Sequence, residues 1–132
     1  MTGYLVDTSV FIAAEQRRAL GHPPPGLAHI SVASLTELHV GVLRSRSEAL
    51  RRLREATLGR ASSFIALPYD VYVSIRLAEL IAAARDAGRR AGAMDAIIAA
   101  TALTHDLAIW TQDADFDVLA ELEPSLRVHR GP

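Results

Sequence analysis

The sequence predicts an α/β domain with helices on both faces of a mostly parallel sheet, a three-layer α/β/α arrangement. Three observations predict it. Short β-branched and aliphatic runs alternate along the chain with longer stretches whose apolar residues recur at helical spacing. Alternation of this kind yields parallel strands joined by helical crossovers. Acids also stand where strands end or apolar helices begin, the edges that meet in one crevice of an α/β sheet. At 132 residues the chain fits one domain, residues 1–132, long enough for a real core and too short for two comfortable ones.

Each element has its own signal. Residues 3–7, Gly-Tyr-Leu-Val-Asp, read as a buried strand, and a helix follows from Val10 to Leu20. Serial prolines make Gly21-His-Pro-Pro-Pro-Gly26 a loop, because proline cannot continue a helix. Residues 28–31 form a second strand, with helices from Val32 to Leu43 and from Ser47 to Leu58. Ser-Phe-Ile-Ala-Leu at 63–67 is a strand stopped by Pro68, and the longest helix runs from Tyr69 to Ala87, ended by Gly88. The glycines of Gly88-Arg-Arg-Ala-Gly-Ala93 make a loop before a nearly all-apolar, buried helix from Asp95 to Thr104. Leu107-Ala-Ile-Trp-Thr111 is a strand, Asp115 to Leu122 a short helix and Leu126 to His129 a last strand.

Composition narrows the function. Half the residues are hydrophobic and only 5% aromatic, so the core is built from Ala, Val, Leu and Ile. No apolar run approaches the roughly 18 residues of a membrane span, and Asp7 comes too early for a secretory signal. The expectation is a cytoplasmic protein with no membrane partner. There is no cysteine, hence no disulfide, thiolate metal site or cysteine nucleophile. Net charge is −1, but without five acids singled out below, 14 basic residues face 10 acidic ones. All 14 are arginines, whose planar forks suit phosphate.

The singled-out acids are Asp7, Glu37, Asp95, Asp113 and Asp115. Each has an ordinary reading as a helix cap. Asp7, Asp95, Asp113 and Asp115 are favoured N-cap residues, and Ser34-x-x-Glu37 fits a capping box. The two roles are compatible, since helix N-termini ring the same crevice and are electropositive. Carboxylates gathered there repel one another, and a hard divalent cation relieves that repulsion. A set without Cys or His favours Mg2+ or Mn2+ over Zn2+. His22, His29, His39, His105 and His129 show no ligand spacing and read as surface or packing residues.

Taken together, Asp7-Thr-Ser-Val-Phe-Ile12, Glu37, Asp95-Ala-Ile-Ile-Ala-Ala-Thr-Ala102 and Thr111-Gln-Asp-Ala-Asp-Phe116 resemble the PIN-domain ribonucleases, most of all the VapC-type toxins of bacterial toxin–antitoxin pairs. The likeness runs over essentially the whole chain. It implies a PIN-like fold with Asp7, Glu37, Asp95 and Asp115 as the catalytic and metal-binding quartet and Asp113 as a further acid. Thr8 or Ser9 matches the hydroxyl supporting the first acid, and Thr111 opens the last motif. Gln112 departs from the pattern, standing where the family often has Arg or Asn.

The resemblance further implies endonucleolytic RNA cleavage by metal-activated water, with Mg2+ or Mn2+ as cofactor. It also implies a cognate VapB-like antitoxin, docked over the apolar surface of residues 32–58, and a homodimer. Arg89 and Arg90 are the best-placed RNA contacts. Arg44, Arg46, Arg51, Arg52, Arg54 and Arg60 make a second basic group that reads first as a solvated helix face, with Glu48 and Arg52 an i, i+4 pair. Two other readings share these motifs: a housekeeping PIN nuclease of RNA processing, and a non-catalytic PIN-like binding module whose acids only cap helices. A phosphate-signalling receiver is excluded by the missing lysine, and a haloacid-dehalogenase-like phosphotransferase by Ser9, where a second Asp is required.

Overall fold

A computed structural model describes residues 3–130. Its strands are β1 (Gly3–Val6), β2 (Leu27–Ser31), β3 (Ile65–Leu67), β4 (Ala108–Thr111) and β5 (Val128–Arg130). Its helices are α1 (Thr8–Glu15), α2 (Val32–Leu43), α3 (Glu48–Ser62), α4 (Val71–Asp86), α5 (Ala93–Thr104) and α6 (Asp117–Leu122). The strands lie in the order β3-β2-β1-β4-β5, and every ladder is parallel.

Alternation along the strands sorts side chains to two faces. Leu5 and Ile109 are buried against α4, α5 and α6 through Val73, Leu77, Ile98, Phe116 and Leu119. Tyr4, Val6 and Trp110 turn the other way, onto Val10 and Phe11 of α1, Leu38 of α2 and Ala61 of α3. These are the three layers the sequence predicts. α5 is apolar almost all round because it lies in the middle of the larger core, with Ala96, Ile98, Ala99, Ala100 and Ala102 buried.

Every predicted element exists, and the differences lie at the ends. α1 stops at Glu15 rather than Leu20. Its end is a Schellman turn: the Arg17 N–H donates to Ala14 O and the Arg18 N–H to Ala13 O, with Arg17 at φ 57°. Glycine usually marks that left-handed position, as Gly88 does after α4 at φ 64°. α3 continues past Leu58 to Ser62, because Gly59 faces open space while Ala61 is fully buried. α5 begins at Ala93, before Asp95, and α6 begins at Asp117, after Asp115.

Close packing at the sheet centre fixes Gly3. A Cβ there would meet Leu27 O at 2.9 Å, His29 Cε1 at 3.0 Å and Leu107 Cδ2 at 3.0 Å. One neighbour is strand backbone and cannot yield cheaply. Gly3→Ala is expected to cost about 1–3 kcal/mol, read as a lower denaturant midpoint at unchanged m-value; an unaltered midpoint would show that β1 shifts freely.

Candidate active site

The sheet reverses direction of winding at β1. Strands β2 and β3 build outward on one side of it, β4 and β5 on the other. The crevice beyond the carboxyl ends of β1 and β4 is therefore the topological switch point, where open α/β sheets bind ligands. Asp7 follows β1 directly, its N–H donating to Trp110 O at 2.9 Å, and Thr111 closes β4.

Asp7 is only 4% exposed, and three hydrogen bonds converge on its Oδ2. The Ser9 hydroxyl donates at 2.6 Å, the Thr111 hydroxyl at 3.0 Å and the Ser9 N–H at 3.3 Å. Asp7 is thus the N-cap of α1 and a crevice acid at once, as the sequence allows. Burial raises its pKa, and the charge of Asp113 adds to that, while the Ser9 and Thr111 bonds oppose it. Ser9 is itself braced by the Gln112 N–H, which donates to its Oγ at 2.9 Å.

Glu37 arrives from the middle of α2, not its first turn. The N-cap is Ser31, whose hydroxyl accepts from the Ala33 N–H, so the capping box Ser34-x-x-Glu37 does not form. The Ser34 hydroxyl is instead buried without a partner. Glu37 accepts from the Thr8 hydroxyl at 2.7 Å. The two neighbouring hydroxyls therefore divide the work: Ser9 holds Asp7 and Thr8 holds Glu37. Burial lifts the Glu37 pKa, with Asp7, Asp115 and Asp113 adding repulsion.

Asp95 lies inside the first turn of α5, whose N-cap, Gly92, makes no side-chain bond. The capping expectation for Asp95 fails, and its carboxylate is left to face the crevice. Its pKa is pushed up to about 7 by burial first, then by the charges of Asp115, Asp7, Glu37 and Asp113. Asp113 and Asp115 do not cap α6 either, since its N-cap is Phe116 and makes no side-chain bond. Asp113 Oδ1 accepts from the Asp115 N–H at 3.1 Å and faces the Thr111 hydroxyl at 3.3 Å, folding the loop so that both acids meet the others. Asp115 is raised by slight burial and by Asp113.

All five acids thus meet at one sheet edge, from four separate stretches of chain. Among the described residues none of them forms an ion pair with an arginine. In these positions no three of them converge on a single point at ligand distance. A cluster of oxygen donors with raised affinity for positive charge fits a hard divalent cation and not a soft one.

The arginines separate into classes. Arg51 pairs with Glu55 at 2.9 Å and Arg52 with Glu48 at 3.4 Å along the exposed face of α3, the solvated-face reading of the sequence. Arg54 donates to Gly41 O at 2.7 Å. Arg89 pairs with Glu121 at 3.0 Å, and Arg89 and Arg90 border a cavity beside α5 rather than the acids themselves. The Gln112 side chain donates to Leu20 O at 3.1 Å, anchoring the proline loop. Its tether was not legible in sequence, because its partner is a backbone carbonyl 92 residues away.

Comparison with known proteins agrees with this geometry. The PIN domain model matches residues 4–122. Ribonuclease VapC5 of Mycobacterium tuberculosis is 38% identical over 116 residues, 87% of this chain and 86% of that protein. Ribonuclease VapC8 of the same species is 42% identical over 100 residues, 74% of this chain and 88% of the relative. The crystal structure of VapBC-5, a member of the VapBC family of toxin–antitoxin systems from Mycobacterium tuberculosis, superposes with a TM-score of 0.86 at 34% identity, covering 98% of this chain and 99% of that one.

Proposed function

The chain belongs to the PIN-domain family, and from that premise we propose that it is a divalent-metal-dependent endoribonuclease, the toxin of a toxin–antitoxin pair acting in the cytoplasm. One observation carries the chemistry: buried Asp7 after β1, half-buried Glu37 of α2 and Asp95 of α5, and the more exposed acids of the β4–α6 loop share one crevice with no arginine to neutralise them. The relatives named ribonuclease supply the substrate class, and the VapBC-5 likeness supplies the antitoxin. Among the described residues no helix is long and apolar enough to cross a membrane.

Asp7 and Asp95 are the leading ligands for Mg2+ or Mn2+, with Glu37 and Asp115 binding directly or through water and Asp113 in support. A bound divalent ion supplies charge for a non-bridging phosphate oxygen and a water acidified enough to attack phosphorus. The chain's own residues set the rest. Ser9 and Thr111 hold the Asp7 carboxylate in place through its Oδ2. Thr8 aims Glu37. Asp95, half-buried among the other acids, gains most from a bound cation, which would relieve the repulsion that raises its pKa. The exposed side chains of Val40, Leu43 and Leu53 give α2 and α3 an apolar strip suited to an antitoxin segment.

Purified protein is expected to cleave single-stranded RNA with Mg2+, to stop on adding EDTA and to recover with excess Mn2+. Cleavage that persists in EDTA would sink the metal-dependent reading. Expression without its antitoxin is expected to arrest growth; unaffected growth by an active nuclease would favour the housekeeping role.

A further inference from the structure

A cavity apart from the acids borders the described residues. It lies on the far side of the first turn of α5, has a volume of about 430 Å³ and is walled by Leu80, Ile81 and Ala84 of α4, Ala93 and Ala96 of α5, and Leu119 of α6. At its rim stand Arg85, Arg89 and Arg90, and no carboxylate lines it. Arg89 is partly neutralised by Glu121, whereas Arg85 and Arg90 have no carboxylate partner among the described residues.

We propose that this cavity holds a nucleotide of the RNA substrate adjoining the scissile phosphate, its base against the aliphatic wall and its phosphate on Arg85 and Arg90. The inference rests on the nuclease reading and deepens it. Three observations carry it. The volume is within the range of pockets that enclose small ligands, about 300–1,000 Å³. The rim offers guanidinium groups, which both bind phosphate and stack on bases, while the wall offers aliphatic surface. Position supplies the third. Ala93 and Ala96 line the cavity, and Asp95, between them in sequence, turns toward the crevice, so one helix turn separates the two places.

The first turn of α5 forms the crest between them, and it is capped by Gly92 without any side-chain bond. A Cβ at Gly92 would stand 3.3 Å from Asp95 Oδ2, so the carboxylate lies beside the crest and the bare glycine leaves it uncrowded. A strand leaving the acids passes over this turn to reach the arginines. An acidic protein segment would satisfy the charges but would leave the deep apolar wall without a flat partner.

The test uses the full chain and two probes. Binding of a fluorescein-labelled single-stranded RNA dodecamer is measured by anisotropy in EDTA, where nothing is cut, over a range of salt. Hydrolysis of bis(p-nitrophenyl) phosphate, too small to span the crest, is measured with Mn2+. The Arg85→Gln/Arg90→Gln double variant is expected to bind RNA at least about tenfold more weakly. Its log–log salt slope should be shallower by about 0.7, the value for one lost phosphate contact on a single strand. Small-diester hydrolysis should be unchanged. Arg90→Glu alone should weaken RNA binding further than Arg90→Gln. Both side chains are exposed, and a thermal melt matching wild type confirms the fold.

Unaltered RNA affinity and salt slope in a folded double variant would overturn the pocket while leaving the nuclease reading intact. Arginine-dependent RNA binding with no hydrolysis by wild type would keep the pocket and sink the nuclease reading. Loss of affinity for a polyglutamate peptide but not for RNA would assign the cavity to a protein partner and overturn the proposal.

Discussion

Asp7→Asn is expected to lower kcat/KM for RNA by at least about a thousandfold, some 4 kcal/mol of transition-state stabilisation. The reason lies in what the substitution keeps and what it removes. Asn and Asp are near-equal N-caps, so the bond from the Ser9 N–H survives and α1 still starts at Thr8. The amide oxygen can still receive the Ser9 and Thr111 hydroxyls. What disappears is a full negative charge at a site 4% exposed, where charge acts at short range and low dielectric. The melting temperature should therefore stay at or above that of wild type, since burial raises the Asp7 pKa, while turnover collapses. Single-turnover cleavage beside a melting curve separates the two effects. Activity within tenfold of wild type would remove Asp7 from the chemistry.

The second large effect concerns stability and is opposite in sign to that of most substitutions. Asp95 has an ordinary pKa of 3.8 and stands at about 7 in the fold, through burial and then its acidic neighbours. Between those values the folded state keeps a proton that the unfolded state has released. Stability therefore falls as pH climbs from about 4 to about 7 and stays reduced above. Asp95→Asn abolishes this penalty. After discounting for partial solvent access, it is expected to stabilise the metal-free protein by about 2 kcal/mol at pH 8, roughly 6 °C in melting temperature. The gain should vanish below pH 4, where Asp95 is protonated in both states. Divalent metal should then raise the melting temperature of wild type more than that of the variant. An equal difference at pH 8 and pH 4 would mean that the variant acts by packing rather than charge.

Both effects arise at residues that the sequence already singles out, and the reason is physical. Strand ends and helix starts are marked by local chemistry, and parallel topology brings such edges together. Asp7, Asp95, Asp113 and Asp115 could thus be placed in one crevice from chain order alone. Glu37 was less accessible, since its Ser34 neighbour imitates a capping box while the true cap is Ser31. Its place follows from α2 packing beside α1, a tertiary fact. Helix ends were legible where glycine takes the left-handed position, as at Gly88, and illegible where Arg17 does so without any compositional signal. The resemblance to PIN domains named the quartet; the structure adds how Ser9, Thr8 and Thr111 share the task of holding it.

The position of β1 in the sheet bears on when the chain becomes dangerous to its own cell. β1 pairs with β4, which begins at Ala108, so their ladder closes only after the chain has been made through Thr111. A ribosome that has released β1, α1 and α2 presents Asp7 and Glu37 on a half-built sheet, without Thr111 to brace Asp7 and without Asp113 or Asp115. A chain truncated before β4 is expected to leave RNA uncut, since it lacks Thr111, Asp113 and Asp115. Full acidity of the crevice arrives only once the β4–α6 loop has been made and docked.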